Sequence, residues 1–343
     1  MFRLITSLIF IAILAAAGAI GSFAAWGWYQ GRDVSNGLKT IYIGLTDKSV
    51  RYTIAPKEVP DRKTGNVIWK GDIANHNLTE ASGLVASTMD DHLYYAINDS
   101  GNEPQIFALK DTGEDVGFWR VDIDAMTDWE DLAAFEREGN QYLLIADTGD
   151  NYRWRDYLTM LVVRAPDINE LPMSESIPVE WEIHFRYEGG HRDAEAVTID
   201  EENERILILT KRQVPAEIYS LPLHARDGIQ TARIVSFLSR LPQPSEQDLW
   251  EDPTYGYTRS QPTAFDMTGS RAVVLTYKDA WLYEKGWRQT WEEAFEQTPQ
   301  RIRLPKLYQQ ESVALSADGK HLLYTTERPG NRDIAPVMQV DLK

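Results

Sequence analysis

The sequence predicts an all-β protein built from a repeated unit of three or four short strands. Three observations carry that expectation. First, short β-branched or aromatic runs bounded by Gly, Asp, Asn or Pro recur along most of the chain: "HLYYAIND" (92–99), "QIFALK" (105–110), "FWRVDI" (118–123), "QYLLIADT" (141–148), "YLTMLVVR" (157–164), "RILILTK" (205–211), "RAVVLTYK" (271–278) and "HLLYTTE" (321–327). Second, five segments stack on a Glu or Gln: Glu80 "EASGLVAST", Glu130 "EDLAAFERE", Glu195 "EAVTIDEEN", Gln261 "QPTAFDMTG" and Glu311 "ESVALSADG". Each passes through small or apolar residues to a turn. Third, each is followed by a second strand and then a third, the third being "QIFALK", "TMLVVR", "EIYSLP", "AWLYEK" and "PVMQVDL" in turn.

A repeat of this length and strand content is a blade of a β-propeller. The expected architecture is about five four-stranded blades over residues 41–343, and the strands at 41–54 would supply a sixth. Only three strands remain after the last repeat, so "NVIWKGDI" (66–73) is expected to return as its fourth and close the ring. The longer intervals hold insertions such as "LPQPSEQDLWEDPTYGYTRS" (241–260), and the best helix candidate is "RQTWEEAFEQ" (288–297). A two-sheet sandwich is the structural alternative, but it does not explain a starting residue that recurs in register.

The composition fits this architecture. The chain has 343 residues, 43% hydrophobic, with 11 Trp, 16 Tyr and 10 Phe, which suits strand packing. Its 52 acids against 35 bases give a net charge of -17. That charge repels phosphate backbones and argues against a nucleic-acid partner. With no cysteine, disulfides, thiolate metal sites and cysteine nucleophiles are excluded. Residues 1–29 hold an apolar run from Leu4 to about Trp28, with Arg3 before it and Trp26, Trp28 and Tyr29 at its end. The run is long enough to span a bilayer and ends in an interfacial aromatic belt. It continues past Ala17-Gly18-Ala19, the candidate cleavage site, which favours an uncleaved anchor over a removed signal peptide. Residues 30–40 read as a polar linker. The propeller is therefore expected on the periplasmic side of the inner membrane, or secreted if the leader is cleaved.

In a propeller, the start of each first strand and the end of each second strand open on one face. Glu80, Glu130, Glu195, Gln261 and Glu311 are thus expected at one mouth of the central channel, with Asp99, Asp147, Lys211, Lys278 and Glu327. Asp128 and Asp193 belong to the loops leading there. Carboxylates this close raise one another's pKa or demand a cation, and calcium takes oxygen ligands. The candidate metal ligands are Glu80, Asp99, Glu130, Asp147, Glu195 and Glu311. The simpler reading is that each Glu only accepts backbone N–H bonds at the tunnel end. The turns "NDSGN" (98–102) and "DTGDN" (147–151) add Asp150 and Asn151, and Arg153 and Arg155 follow, where an anionic group could be held. Asp128, Asp150, Asn151, Arg155, Asp193, Lys211, Gln261, Lys278 and Glu327 are the candidate ligand contacts.

No G-x-S-x-G, P-loop, G-x-G-x-x-G or H-E-x-x-H motif is present. His191, in "GGHRDAEA", lies close to Glu195 in sequence and is the candidate general base, with Glu130 the candidate mouth carboxylate for the same task.

With "EASGL", "NDSGN", "DWEDLA", "DTGDN", "DAEAVTID" and a final "ESVAL…TTE" on the page, the chain resembles a largely uncharacterised family of exported bacterial β-propeller proteins over residues 75–343. More remotely it is similar to calcium-dependent propellers of the gluconolactonase/paraoxonase group and to those grouped with esterase-like phytase. In the former group a channel-mouth glutamate, with Asn and Asp from other blades, binds the catalytic calcium. The resemblance implies matching positions at Glu80, Glu130 or Glu195, with Asp99 and Asp147, though acids or Lys stand here where that group has Asn. The expected function is a membrane-anchored propeller whose acidic mouth binds calcium and a small or anionic ligand. A calcium-dependent hydrolase of phosphoesters or lactones and a protein-interaction scaffold are the alternatives.

Overall fold

The computed structural model describes residues 59–343, apart from 154, 169–172, 174, 329–334 and 343. The expected anchor at 1–29, the linker at 30–40 and the strands at 41–54 lie outside the described residues. Among the described residues no helix is long and apolar enough to cross a membrane.

The chain opens with β1 (Thr64–Asp72) and then lays down antiparallel groups in sequence order. The first is β2 (Ala81–Ala86), β3 (Leu93–Asn98), β4 (Gln105–Lys110) and β5 (Asp115–Arg120). The second is β6 (Trp129–Arg137), β7 (Asn140–Asp147), β8 (Leu158–Arg164) and β9 (Val179–Tyr187). The third is β10 (Ala194–Asp200), β11 (Arg205–Thr210), β12 (Glu217–Pro222) and β13 (Ile229–Phe237). The fourth is β14 (Pro262–Thr268), β15 (Arg271–Thr276), β16 (Asp279–Glu284) and β17 (Gln300–Arg303). The last is β18 (Ser312–Leu315), β19 (His321–Thr325) and β20 (Pro336–Leu342), completed by β1, which pairs antiparallel with β20 from Thr64↔Leu342 to Asp72↔Pro336. The early strand therefore returns to the C-terminal sheet as the sequence suggested.

The first strands β2, β6, β10, β14 and β18 each neighbour the next, and β18 neighbours β2, which closes them into a ring. Buried apolar clusters fill the gaps between successive sheets. One packs Tyr95, Ile97 and Trp119 against Trp129, Leu143 and Ile145; another packs Leu207 and Ile218 against Phe265, Val274 and Trp281. This is a β-propeller. One joint departs from the simple pattern. The outer strands β9 and β13 pair in parallel, Ile229↔His184 to Ala232↔Tyr187, so the second and third groups form one eight-stranded sheet. Outside the strands, α1 (Glu246–Glu251) sits in the insertion at 241–260, started by a Ser245/Asp248 capping box. The expected helix near 288–297 is α2 (Trp291–Phe295), capped in the same way by Thr290 and Glu293.

The ring leaves inner backbone to be satisfied. Gly83 lies so close to β6 that a Cβ would stand 2.7 Å from the backbone N of Leu132. At the next group's matching position, the carboxylate of Asp131 accepts from Leu132 N (2.8 Å), Val197 N (2.8 Å) and Phe265 N (3.3 Å), tying three first strands together. Asp266 does the same for Met267 N (2.8 Å) and Leu315 N (2.7 Å). Burial pushes the pKa of Asp131 well up even though its N–H donors oppose this. Removing Asp131 strands buried donors. Asp131→Ala is expected to cost about 3 kcal/mol in urea unfolding. A loss below about 1 kcal/mol, the worth of an ordinary hydrogen bond, would show that the carboxylate does not staple the ring.

Candidate functional site: an acidic channel mouth

Four of the first strands begin with an irregular register: between Ala81 and Gly83, Trp129 and Asp131, Ala194 and Ala196, and Pro262 and Ala264. The residue bulged out is Ser82, Glu130, Glu195 or Thr263. Where it is a hydroxyl, it bonds the backbone of the next group: Ser82 Oγ donates to Trp129 O (3.2 Å) and Thr263 Oγ1 to Gln310 O (3.0 Å). Ser312 Oγ, at the start of β18, donates to Ala81 O at 2.6 Å. Between the second and third groups Thr148 Oγ1 makes the equivalent bond to Ala194 O at 2.9 Å. Glu130 and Glu195 therefore occupy positions that elsewhere only lock the ring.

This changes the register read from the sequence. Glu80 and Gln261 sit two residues before a bulge, matching Asp128 and Asp193 rather than Glu130 and Glu195. Glu311 immediately precedes Ser312, the first residue of β18. The glutamates do gather at one end of the ring, but in two tiers.

The carboxylates of Asp99, Asp128 and Glu130 converge, with ligand oxygens all within 4.8 Å of one another. A Cβ on Gly149 would stand 2.2 Å from both Asp128 Oδ2 and Glu130 Oε1, so only hydrogen fits beneath the group. Burial, followed by repulsion from neighbouring acids, governs the electrostatics. Asp99 rises to about 6 by burial and the charges of Glu311 and Glu80, against a bond from Ser100 N. Asp128 rises to about 7 by burial and the charge of Asp99, with the Ser100 side chain bonding it in opposition. Glu130 is pushed well up by burial, Glu195, Asp99 and Asp128.

A second set surrounds Lys211. Its ammonium pairs with Glu195 and donates to Tyr277 Oη at 3.0 Å; Tyr277 Oη in turn donates to Glu311. Glu311 also shares a hydrogen bond with Glu327, which Gln309 Nε2 holds at 2.7 Å. Burial works against the Lys211 ammonium, but Glu195, Tyr277, Glu311 and Glu130 together hold its pKa well above the usual range. Burial pushes Glu195 and Glu311 up to about 8 and raises Glu327.

The remaining candidates have other partners. Asp147 pairs with Arg155 (2.6 Å) and accepts from Thr127 N (3.1 Å) and Asp128 N (3.2 Å), so it orients the loop that presents Asp128. Asp193 accepts from Asp150 N at 3.1 Å and pairs with Arg212, which also reaches Asn151. Glu80 accepts from Asn102 Nδ2 at 2.6 Å. Gln261 is buried beside Lys211 and Arg212. Lys278 is turned to Asp248 of α1 at 2.6 Å. His191 stands 3.6 Å from Asp150 and is half exposed. Sequence reasoning missed Gly149, Ser100, Tyr277 and Arg212. Stacking the repeats on the second strands, rather than on the glutamates, would have found Tyr277, because Asp99, Lys211 and Tyr277 each follow such a strand's last paired residue.

Neither a known protein family nor an individual curated protein matches this sequence. Solved structures of similar shape include a gluconolactonase from Xanthomonas campestris, 9% identical over 87% of this chain and 99% of that one, with a TM-score of 0.43. The WD40 repeats of RRP9 are 10% identical over 83% of this chain and 100% of that one, with a TM-score of 0.42. The PQQ-bound aldose sugar dehydrogenase from Streptomyces coelicolor is 11% identical over 83% of this chain and 100% of that one, also with a TM-score of 0.42.

The raised pKa values set a pH dependence. Asp99, Asp128, Glu195 and Glu311 bind protons more tightly folded than unfolded, so they favour folding most when protonated. That contribution is fully present below the unfolded carboxyl range and is lost as pH rises through about 6 to about 8. In chelator, the melting temperature is expected to fall by roughly 3 °C or more between pH 5 and pH 8. A melting temperature that is flat or rising over that window would show that these groups do not titrate as described.

Proposed function

We propose that the mouth binds a divalent cation together with a small or anionic ligand, on a five-bladed propeller held at the periplasmic face of the inner membrane by residues 1–29. The convergence of Asp99, Asp128 and Glu130 over Gly149 carries this reading. The three supply only oxygen donors, which is the chemistry of calcium. The ring of first strands and the return of β1 to β20 support the blade count. The apolar run before Arg32 supports export.

Asp99, Asp128 and Glu130 would hold the ion, with Asp147 fixing the loop that carries Asp128. Lys211 sets the charge of the neighbouring tier through Glu195. The cation's chemical contribution is polarisation of a ligand oxygen. A second reading, hydrolysis of a phosphoester or lactone, draws on the His191–Asp150 contact, which gives a candidate base an orienting carboxylate beside the mouth. The pure scaffold reading has no observation of its own in its favour.

Calorimetric titration of the purified full chain with calcium decides the first reading. Saturable binding in the micromolar-to-millimolar range is expected, weakened about tenfold or more by Glu130→Gln or Gly149→Ala. No heat of binding and no melting shift on chelation would leave the scaffold reading standing. For the hydrolase reading, turnover in a panel of phosphoesters and lactones should depend on both His191 and Glu130. Turnover that is absent, or unchanged in His191→Ala, would remove it.

A further inference from the structure

The 241–260 insertion between β13 and β14 has no part in the chemistry of the mouth, yet it is a folded element. Ser245 and Asp248 start α1, Asp252 N donates to Asp248 O (3.1 Å), and Gly256 N donates to Asp252 O (2.7 Å). A short 3-10 turn, Gly256–Ser260, then carries the chain to Gln261. The insertion roofs a cavity of about 380 Å³ to which it contributes Pro242, Asp248 and Arg259, while the incoming chain contributes Val59 and Asp61. The floor is one face of β16 and β17. Asp279 and Trp281 stand two apart on β16, and Arg301 and Arg303 two apart on β17. The register Asp279↔Arg303 and Trp281↔Arg301 sets all four side chains on the same side, and all four line the cavity.

Three carboxylates line this cavity, and each has its own base. Arg301 Nε donates to Asp279 at 2.8 Å, Lys278 pairs with Asp248 at 2.6 Å, and Arg303 Nε pairs with Asp61 at 3.0 Å. Arg259 is the fourth base. It is half-buried and, among the described residues, has no hydrogen-bond or ion-pair partner. Other half-buried guanidinium groups hold a carboxylate each: Arg155 holds Asp147, Arg192 holds Glu217, Arg205 holds Asp200 and Arg212 holds Asp193. A guanidinium drawn partly out of water without an acid is costly. Lys278, expected at the channel mouth from the sequence, neutralises Asp248 here and so leaves Arg259 uncommitted. With four bases to three acids, the cavity keeps one positive charge in a chain whose net charge is -17.

We infer that this cleft binds a small organic monoanion, a carboxylate on a compact apolar body. Arg259 takes the carboxylate, and Arg303, which spends only its Nε on Asp61, adds donors at the open side. Val59, Pro242 and Trp281 give the body an apolar wall, in a volume suited to a small molecule. The site goes beyond the reading above and uses neither the carboxylate trio nor the Lys211 tier.

The test titrates the purified full chain with benzoate, with benzamide as the neutral isostere and phenyl phosphate as the dianion. Saturable benzoate binding is expected below roughly 10 mM, with benzamide at least about tenfold weaker. Arg259→Ala should weaken benzoate binding about tenfold, and Arg259→Lys should recover part of the loss. Lys278→Met removes the cavity's excess charge and leaves Asp248 to compete for Arg259, so it should weaken binding at least about threefold. Because Arg259 bonds nothing in the protein itself, Arg259→Ala should melt within about 1 °C of wild type or higher. A melting temperature several degrees lower would show a structural role and overturn the assignment. No benzoate binding, benzamide equal to benzoate, phenyl phosphate tighter than benzoate, or benzoate binding indifferent to Arg259→Ala would overturn it as well. A wild-type chain that binds benzoate but no calcium would overturn the cation reading and leave this one intact.

Discussion

The constraint on which the rest depends is the closeness of the first strands around the channel. They approach so tightly that Gly83 has no room for a Cβ against the backbone of β6. Backbone groups that would face water in an open sheet have none here, and unpaired buried donors are costly. Two buried carboxylates, Asp131 and Asp266, take those bonds. At the mouth, the hydroxyls of Ser82, Thr263, Ser312 and Thr148 take the corresponding carbonyls. The ring is thus locked by short polar side chains on first strands and their neighbours, and the aromatic clusters fill the widening gaps outside it.

That locking explains how the mouth can gather so much charge. The bulge positions of β6 and β10 are released from the task that hydroxyls perform in other groups, and glutamates occupy them. Thr148, from the second strand of the intervening group, takes over the joint to Ala194. The joint to Ala194 is therefore made without Glu130, whose burial brings no such bond, while Glu195 is turned to Lys211. The difference between repeats of one chain points to function more sharply than the number of acids does.

Much of this was legible in the sequence. The strands at 105–110 and 217–222 coincide with β4 and β12, because both are short apolar runs between clear turn signals. The closing role of β1 followed from counting strands after Glu311. The outer strands β9, β13 and β17 were not anticipated. Yet "VEWEIHFRY" buries Trp181, Ile183, Phe185 and Tyr187 in strict alternation, a signal that was present. The parallel seam between β9 and β13 had no sequence signature. The in-register glutamates misled for a physical reason. Both β2 and β6 carry the same bulge, but Glu80 lies two residues before it and Glu130 occupies it, an offset that stacking the segments on their glutamates conceals. Gly149 was hidden inside an ordinary turn sequence, since nothing local shows what a missing Cβ makes room for.

The partners of the basic residues argue for what the mouth accepts. Lys211 is drawn to Glu195, Arg155 to Asp147 and Arg212 to Asp193. Each base thus faces an acid outside the trio and acts on Asp99, Asp128 and Glu130 only at longer range. Near neutral pH the trio can relieve its mutual repulsion in two ways, by taking up protons or by sharing a cation. With Asp99 and Asp128 at about 6 and about 7, neither solution is remote from the other. On the proposed reading, a set of carboxylates poised this way would exchange protons for a divalent ion over a narrow pH range. Carboxylates fully neutralised by arginine would have no such capacity, and that contrast separates this group from the Asp147–Arg155 and Asp193–Arg212 pairs beside it.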